Sequence, residues 1–518
     1  MQENIDTSEF ESLSKEQLIN RIIGLQADVA SLQYILFSRR SEKRKVDPEG
    51  MQPLFDEVEQ IDLEESEPCK EDNVECKEKP RKKGSGRKPL PANLPRERRE
   101  HDLSEEAKQC PVHNIALTRI GEKVREELEI IPAKVKVIEH VTFSYKCSCC
   151  SDIDATTKIV CSNLEPRPIP KSFASPSLLA YIATAKYCDH LPLYRQEQIF
   201  TRYSIDLKRN TMSSWMIQSS KLATPLINLM REQLLNSKVA GCDETPIQVL
   251  KEPNRKAEQR SYMWVGTSMC GPPVVIFNYD SRRNTEAAKN FLEGFEGILV
   301  CDGLKTYDSF ARKENVTLAG CLVHIRRGFV KAEKALKKAN PKAKTKAEIP
   351  LDLISSLYKV EKENIGKTYD EKLKKRREES QTLMNQLYSW LTAEKPKTLP
   401  KSLIGKAIRY ALDQWDKMQH FLLDPHVPLD NNRAERAIRP FVIGRSNWVF
   451  SNSCAGAEAS ATLYSLIESA KVNGLDPFNY LCIIFKELCK AEYLEDYERL
   501  LPYNIRAHFD VKPLINPK

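Results

Sequence analysis

Apolar residues near the start of the chain fall at Leu18, Ile22, Leu25, Val29, Leu32 and Leu36, in alternating steps of four and three. That spacing puts all six on one seam of a helix, and residues 13–45 read as a short coiled coil able to pair with a second copy. So short a coil is marginal alone, and the same pattern suits an amphipathic helix packed on its own protein. Gly24 sits on the outer face, where it weakens the helix but leaves the seam intact. Over residues 46–93 the periodicity is lost. Asp56, Glu57, Glu59, Asp62, Glu64, Glu65 and Glu67 crowd the first part; Lys77, Lys79, Arg81, Lys82, Lys83, Arg87 and Lys88 then reverse the sign. This is the composition of a disordered linker.

Alternating segments at Ile131–Ile138 and Val141–Tyr145 predict a hairpin within a small domain over 94–165. Helical spacing returns at Lys171–Asp189 and Pro192–Tyr203. A turn at Ser204–Leu207 leads to a third helix capped by Asn210 or Thr211. Residues 171–236 thus read as a helix-turn-helix region, with Lys208 and Arg209 at the joint to meet DNA; such helix pairs also occur as plain packing units.

From Val239 the period becomes that of strands. Val239–Leu250, Ser261–Met269 and Pro273–Tyr279 follow one another closely enough for an antiparallel meander. A helix at Glu286–Phe295, a strand at Gly297–Asp302 and a strand at Thr317–Val323 come next. Three strands, helix, strand, helix, strand is the order of the ribonuclease H-like fold. We therefore expect a multidomain α+β chain with such an α/β core over 237–456, interrupted by a basic helical insertion at about 331–424. An apolar helical domain at 457–518 closes the chain.

Three carboxylates stand out against this pattern. Asp243 lies in the middle of an apolar strand, where an ionised side chain requires a cation or hydrogen bonds. Asp302 ends a second strand, and Glu435 opens a later helix. In the expected fold the first strand's centre and the fourth strand's end are neighbours, so Asp243 and Asp302 should meet. Three acidic groups brought together from distant segments are what two-metal phosphoryl transfer requires, with Mg²⁺ or Mn²⁺ on carboxylate oxygens. Taken singly, Asp302-Gly303 is an ordinary turn and Glu435 can pair with Arg439 one turn on. Glu244 falls on the opposite face from Asp243 and is not expected to be a ligand. His324, Arg326 and Arg327 follow a core strand and are placed to hold a phosphate; Arg327 pairing with a carboxylate is the alternative.

Cys110-Pro-Val-His113 and Cys147-Ser-Cys149-Cys150 bracket the hairpin, a spacing that closes a tetrahedral Zn²⁺ site. Cys149 and Cys150 both remain open as the last ligand, with the two-residue gap favouring Cys150. Gly-Arg87-Lys88-Pro89 resembles an AT-hook for the minor groove, though such a basic run also attracts phosphate without specificity. Composition narrows the class. A length of 518 residues calls for several cores, and a net charge of +8 suits a nucleic-acid partner. No run of eighteen apolar residues and no signal peptide are evident, and fifteen cysteines, mostly single in apolar contexts, fit a reducing cytoplasm.

The runs Asp243-Glu-Thr-Pro, Cys301-Asp-Gly-x-x-x-Tyr307, Gly320-Cys-Leu-Val-His324-Ile-Arg-Arg327, Asp430-Asn-Asn-Arg-Ala-Glu435-Arg-Ala-Ile-Arg-Pro440 and Tyr464-Ser-Leu-Ile-Glu-Ser-Ala-Lys471 resemble the transposases of the insertion-sequence-66 family. So do Ser41-Glu-Lys43, Leu94-Pro-Arg96 and Leu191-Pro-Leu-Tyr-Arg-Gln196, and the resemblance runs from about Leu13 to Phe485. It implies a leucine zipper, a zinc-binding domain, an Asp-Asp-Glu core with those roles on Asp243, Asp302 and Glu435, and a small C-terminal domain. His113 stands where the family usually has a second cysteine. The implied setting is a bacterial, nucleoid-associated enzyme on double-stranded DNA, oligomeric through its zipper and open to companion proteins of its element. A catalytically inactive DNA-binding regulator is one rival reading, opposed by the three intact carboxylates. A structure-selective nuclease on the same fold is the other.

Overall fold

The structure, a computed structural model, describes residues 135–146, 159–161, 164–314, 316–339 and 345–514. The expected zipper and linker, Arg87, Lys88, Cys110, His113, Cys147 and Cys150 all lie outside them. Among the described residues, β1 (Ser144–Lys146) pairs antiparallel with β2 (Ile159–Cys161), Tyr145 opposite Val160. The expected hairpin therefore has a different partner, and residues 135–143 carry no strand. Alternation sets the faces of a strand but does not name its neighbour.

Four helices follow: α1 (Pro176–Tyr187), α2 (Leu193–Arg202), α3 (Arg209–Leu222) and α4 (Thr224–Leu235). Ser175 caps α1, its hydroxyl accepting from the Leu178 N–H at 3.2 Å, and Pro176 stands at the first position, where its missing N–H is no loss. The turn before α3 passes through Ser204 in the left-handed region, φ 60°. Neither expected cap of α3 is in place. The backbone stays extended at Lys208 (φ −72°, ψ 143°) and the helix begins at Arg209, which leaves Asn210 and Thr211 inside its first turn.

The sheet is built on β3 (Val239–Lys251). It pairs antiparallel with β4 (Arg260–Ser268), which pairs antiparallel with β5 (Val275–Asp280). On the other side β3 pairs parallel with β6 (Ile298–Val300), and β6 with β7 (Thr317–Ala319). The spatial order is β5-β4-β3-β6-β7, with the short β8 (Ser451–Ser453) parallel to the far end of β3. Helix α5 (Thr285–Leu292), capped by Asn284, links β5 to β6, and α6 (Lys305–Glu314) links β6 to β7. The fifth strand is shorter than expected. Gly320 donates its N–H to the Lys417 carbonyl and so leaves the ladder, and α7 (Leu322–Ala339) begins two residues on. Val323 and His324 are therefore helical.

The insertion is α8 (Glu348–Glu363), α9 (Tyr369–Lys375), a wide turn at Arg376–Ser380, α10 (Gln381–Glu394), α11 (Leu403–Asp413) and α12 (Trp415–Gln419). The chain returns in α13 (Asn432–Trp448) and continues through α14 (Cys454–Val472), α15 (Pro477–Glu487) and α16 (Leu494–Glu498). Strand alternation divides the apolar contacts between two cores. Ala240 and Cys242 join α1, α3, α4, α14 and α15 in one, while Val239, Val300 and Ala319 join α7, α8, α10, α11 and α12 in the other. Among the described residues no helix is long and apolar enough to cross a membrane.

An outer strand presents unpaired backbone groups, and α14 covers those of β5. The hydroxyl of Ser469 accepts from the Val275 N–H and donates to the Val275 carbonyl, both at 2.9 Å; Ser465 accepts from the Phe277 N–H at 2.7 Å. The expected domain boundary at 457 thus falls inside a helix bonded to the sheet. Replacing both serines by alanine leaves two buried N–H groups unpaired, at roughly 1–3 kcal/mol each. Urea unfolding should show a loss of at least about 2 kcal/mol; an unchanged midpoint would mean this edge is satisfied in some other way.

Candidate active site

Register brings the two aspartates together. Gly241 on β3 lies opposite Val300 on β6, so two residues further along each parallel path are Asp243 and Asp302. Neighbouring strands run about 4.8 Å apart, which makes the two side chains neighbours. Asp243 Oδ1 accepts from the Glu244 N–H at 2.9 Å, but Oδ2 is buried with no hydrogen-bond partner. Asp302 Oδ1 accepts from the Leu304 N–H at 3.0 Å, so this residue shapes a turn and supplies charge to the site as well. Burial pushes the Asp243 carboxyl well above the usual carboxylate range, and the charges of Glu244, Asp302 and Glu435 push it further.

Glu435 comes from the first turn of α13 and is only 4% exposed. Three contacts fix that helix start. Asn431, 1% exposed, donates its side-chain N–H to the Cys242 carbonyl at 2.8 Å, one residue before Asp243. Its backbone N–H meets Cys321 Sγ at 3.3 Å, and Leu322 donates to the Leu429 carbonyl at 2.9 Å. Gly241 leaves room for this contact: a Cβ would stand 2.1 Å from Met269 Cε and 2.7 Å from Asn431 Oδ1, so both side chains would have to shift.

Of the phosphate-holding residues expected from sequence, His324 and Arg327 are at the cluster. His324 Nδ1 lies 3.7 Å from Glu435 Oε1, and Arg327 Nη2 lies 3.9 Å from Glu435 Oε2. Burial and the Arg327 charge hold the imidazole down at about 4 against the pull of Asp302, so the ring is neutral near pH 7. The charge of Arg326 acts on Tyr358, whose hydroxyl donates to Asp430 at 2.9 Å. Lys208 and Arg209 are at the exposed start of α3, Lys208 paired with Asp206 at 2.7 Å.

Glu244 is on the opposite face, as alternation requires. Its carboxylate takes Arg283 Nε at 2.9 Å, Arg283 Nη2 at 2.6 Å and the Tyr307 hydroxyl at 2.6 Å. Burial, then Asp302, push this carboxyl up, while Arg283 and Tyr307 oppose them. Tyr307 opens α6 just after Asp302, so Glu244 ties β3 to the loop that carries the second aspartate. Sequence reasoning missed this role, and also Asn431, Cys321 and Tyr410, whose hydroxyl stands 2.8 Å from where a Cβ on Gly303 would be. Of these only Asn431, beside Asp430 and four residues before Glu435, had a position in the chain that hinted at it.

A buried carboxylate oxygen without a donor, facing two more acids, is chemically incomplete. Hard oxygen donors of this kind fit a divalent cation such as Mg²⁺, held by Asp243, Asp302 and Glu435. In chelator-treated protein Asp243 carries a raised pKa, so its share of native stability is present at low pH and is lost as pH rises through that value. Asp243→Asn should therefore stabilise the metal-free fold, with a gain in urea unfolding that grows as pH rises above the ordinary carboxylate range. A gain that does not change with pH would contradict the crowding of charge.

The chain matches the family model described as "Transposase IS66 family" over residues 171–459. Residues 107–151 match "zinc-finger binding domain of transposase IS66", residues 24–99 match "Transposase C of IS166 homeodomain", and residues 465–503 match "IS66 C-terminal element". Two uncharacterised proteins of Sinorhizobium fredii are similar along their length. y4jD is 29% identical over 95% of this chain and 96% of its own, and y4qI is 30% identical over 94% and 89%. Among solved structures, the Drosophila P element transposase strand transfer complex aligns with TM-score 0.34 and 12% identity over 57% of this chain and 92% of that one, too slight a likeness to carry an argument.

Proposed function

The chain belongs to the insertion-sequence-66 transposase family, and from that premise we propose that it cuts the ends of its element and joins the resulting 3′-hydroxyls to target DNA. The observation that carries this reading is the buried, unpartnered Oδ2 of Asp243 among the charges of Asp302 and Glu435. The sheet order β5-β4-β3-β6-β7 supports a ribonuclease H-like core. When bound at these carboxylates, two Mg²⁺ or Mn²⁺ ions would supply activation of the attacking oxygen and stabilisation of the leaving one.

The residues of the chain do the positioning. Asp243, on a strand bonded along both sides, and Asp302, fixed by its own turn, would hold metal ions on one side of the reacting phosphate. Glu435 faces them from a helix start pinned by Asn431. Arg327 and the neutral His324 border Glu435, placed to hold non-bridging phosphate oxygens without a proton transfer by the imidazole. Each step exchanges one phosphorus–oxygen bond for another. Water first displaces the 3′-oxygen at an element end; that hydroxyl then attacks a target phosphodiester and releases a new 3′-oxygen.

Around this core we assign a Zn²⁺ to Cys110, His113, Cys147 and Cys150, in the segment that matches the zinc-finger model. Double-stranded DNA contacts fall to α2–α3, with Lys208 and Arg209, and to Arg87 and Lys88. The zipper pairs two copies.

Asp243→Asn, Asp302→Asn and Glu435→Gln should each lower cleavage and joining of an end-bearing duplex by about a thousandfold or more, with end binding within about twofold. Activity retained in any of the three removes that residue from the triad. Arg209→Ala should weaken duplex binding across sequences and reduce the slope of log affinity against log salt by about 1. Lys208→Ala should do less, because Asp206 already pairs with Lys208. An unchanged slope in Arg209→Ala takes α3 out of the phosphate contacts.

A further inference from the structure

Cys321 and His324 sit three residues apart where β7 gives way to α7, and they meet Glu435 across the fold. Cys321 Sγ lies 4.0 Å from Glu435 Oε1, and His324 Nδ1 lies 3.7 Å from the same oxygen. One donor atom from each residue falls within 4.8 Å of the other two. Donors around a tetrahedral zinc-class ion, at bonds of roughly 2.0–2.3 Å, are about 3.3–3.8 Å apart, so small side-chain movements would close the set. His324 Nδ1 is buried without a hydrogen-bond partner, although the ring faces a carboxylate. Cys321 is 4% exposed, and its sulfur already takes the Asn431 N–H at 3.3 Å. Without a metal, burial and then the charges of Glu435 and Asp430 push this thiol up, opposed by the backbone N–H groups of Asn431 and His324, so it is the bound cation that would hold the sulfur as thiolate.

We propose that Cys321, His324 and Glu435 form a three-ligand sulfur–nitrogen–oxygen site for a thiophilic divalent cation of the zinc and cadmium class, separate from the oxygen-only set on the aspartates. A thiolate and an imidazole select such ions over Mg²⁺, which prefers six oxygens. Three protein ligands leave a fourth position open to water or to a phosphate oxygen. Binding releases the thiol proton of Cys321 to solvent as the metal–sulfur bond forms, with no redox change. Because Glu435 is shared with the triad, the bound ion withdraws that carboxylate from Mg²⁺-dependent joining; this last consequence rests on the function proposed above.

The test is Cd²⁺ and Co²⁺ titration of the full chain after removal of its metals, read by equilibrium ion count and by sulfur-to-metal absorbance. Wild type, Cys321→Ser and His324→Gln are compared; the zinc-finger segment gives the same background in all three. Serine keeps a cap for α7, and circular dichroism with the unfolding midpoint checks each fold. Wild type should bind one more ion per chain than either variant, or bind that ion about a hundredfold more tightly, with an added sulfur-to-metal band that Cys321→Ser lacks. Equal ion counts and identical spectra in all three folded proteins overturn the site. Inhibition of Mg²⁺-supported joining by Cd²⁺, measured against each protein's own rate, should weaken at least about tenfold in Cys321→Ser. If wild type never joins DNA in Mg²⁺, the proposed function fails while the ion count still decides this site.

Discussion

Like charges brought into a poorly solvated space repel, and the sheet of this protein is arranged to bring them there. Asp243 and Asp302 are neighbours because β3 and β6 run parallel in a register that a single residue's slip would destroy. The energy spent on holding them is supplied by the two apolar cores on either side of the sheet, each rich in fully buried side chains. Arg283 and Tyr307 bond to Glu244 on the far face of β3 and offset part of the charge that it adds to the cluster.

The third acid arrives by helix, and α13 is attached to β3 and β4 along much of its length. Asn431 bonds to Cys242 at one end; Arg433 donates to the Ser268 carbonyl at 2.9 Å; Arg445, near the other end, bonds to Thr245 at 2.9 Å and to the Pro246 carbonyl. These are side-chain bonds, mostly to backbone carbonyls, and they depend little on which apolar residues fill the space between. A carboxylate placed by two rigid elements joined in this way has little freedom to drift from its partners.

Much of the frame was legible in the sequence because period is a local property. The strand order, the helix before Asp302's strand, the face on which Glu244 lies and the helix start at Glu435 all follow from alternation and spacing. The misses have a common physical cause. Leu322-Val323 is apolar in either conformation, and only the distant Lys417 carbonyl, taking the Gly320 N–H, ends the strand before it. Lys208 is extended because of the turn that precedes it, so helix α3 starts before its best caps. The partner of β1 lies beyond the second cysteine pair. The side chain of Asn431, at the start of α13, reaches back nearly two hundred residues to the Cys242 carbonyl. Each of these outcomes is decided by a group outside the segment concerned, and for β7 and Asn431 that group is far away in the chain.

Tyr410 of α11 closes over Gly303 beside Asp302, Met418 of α12 presses on Gly320, and both belong to the core that takes Val239, Val300 and Ala319 from the sheet. Helices α8 to α12 are thus the floor under one side of the carboxylates and not an appendage hung from a finished domain. A lineage that shed them would have to roof the same hollow with other material, and grafting them onto a foreign sheet would carry over little unless that sheet offered two glycines in the same places.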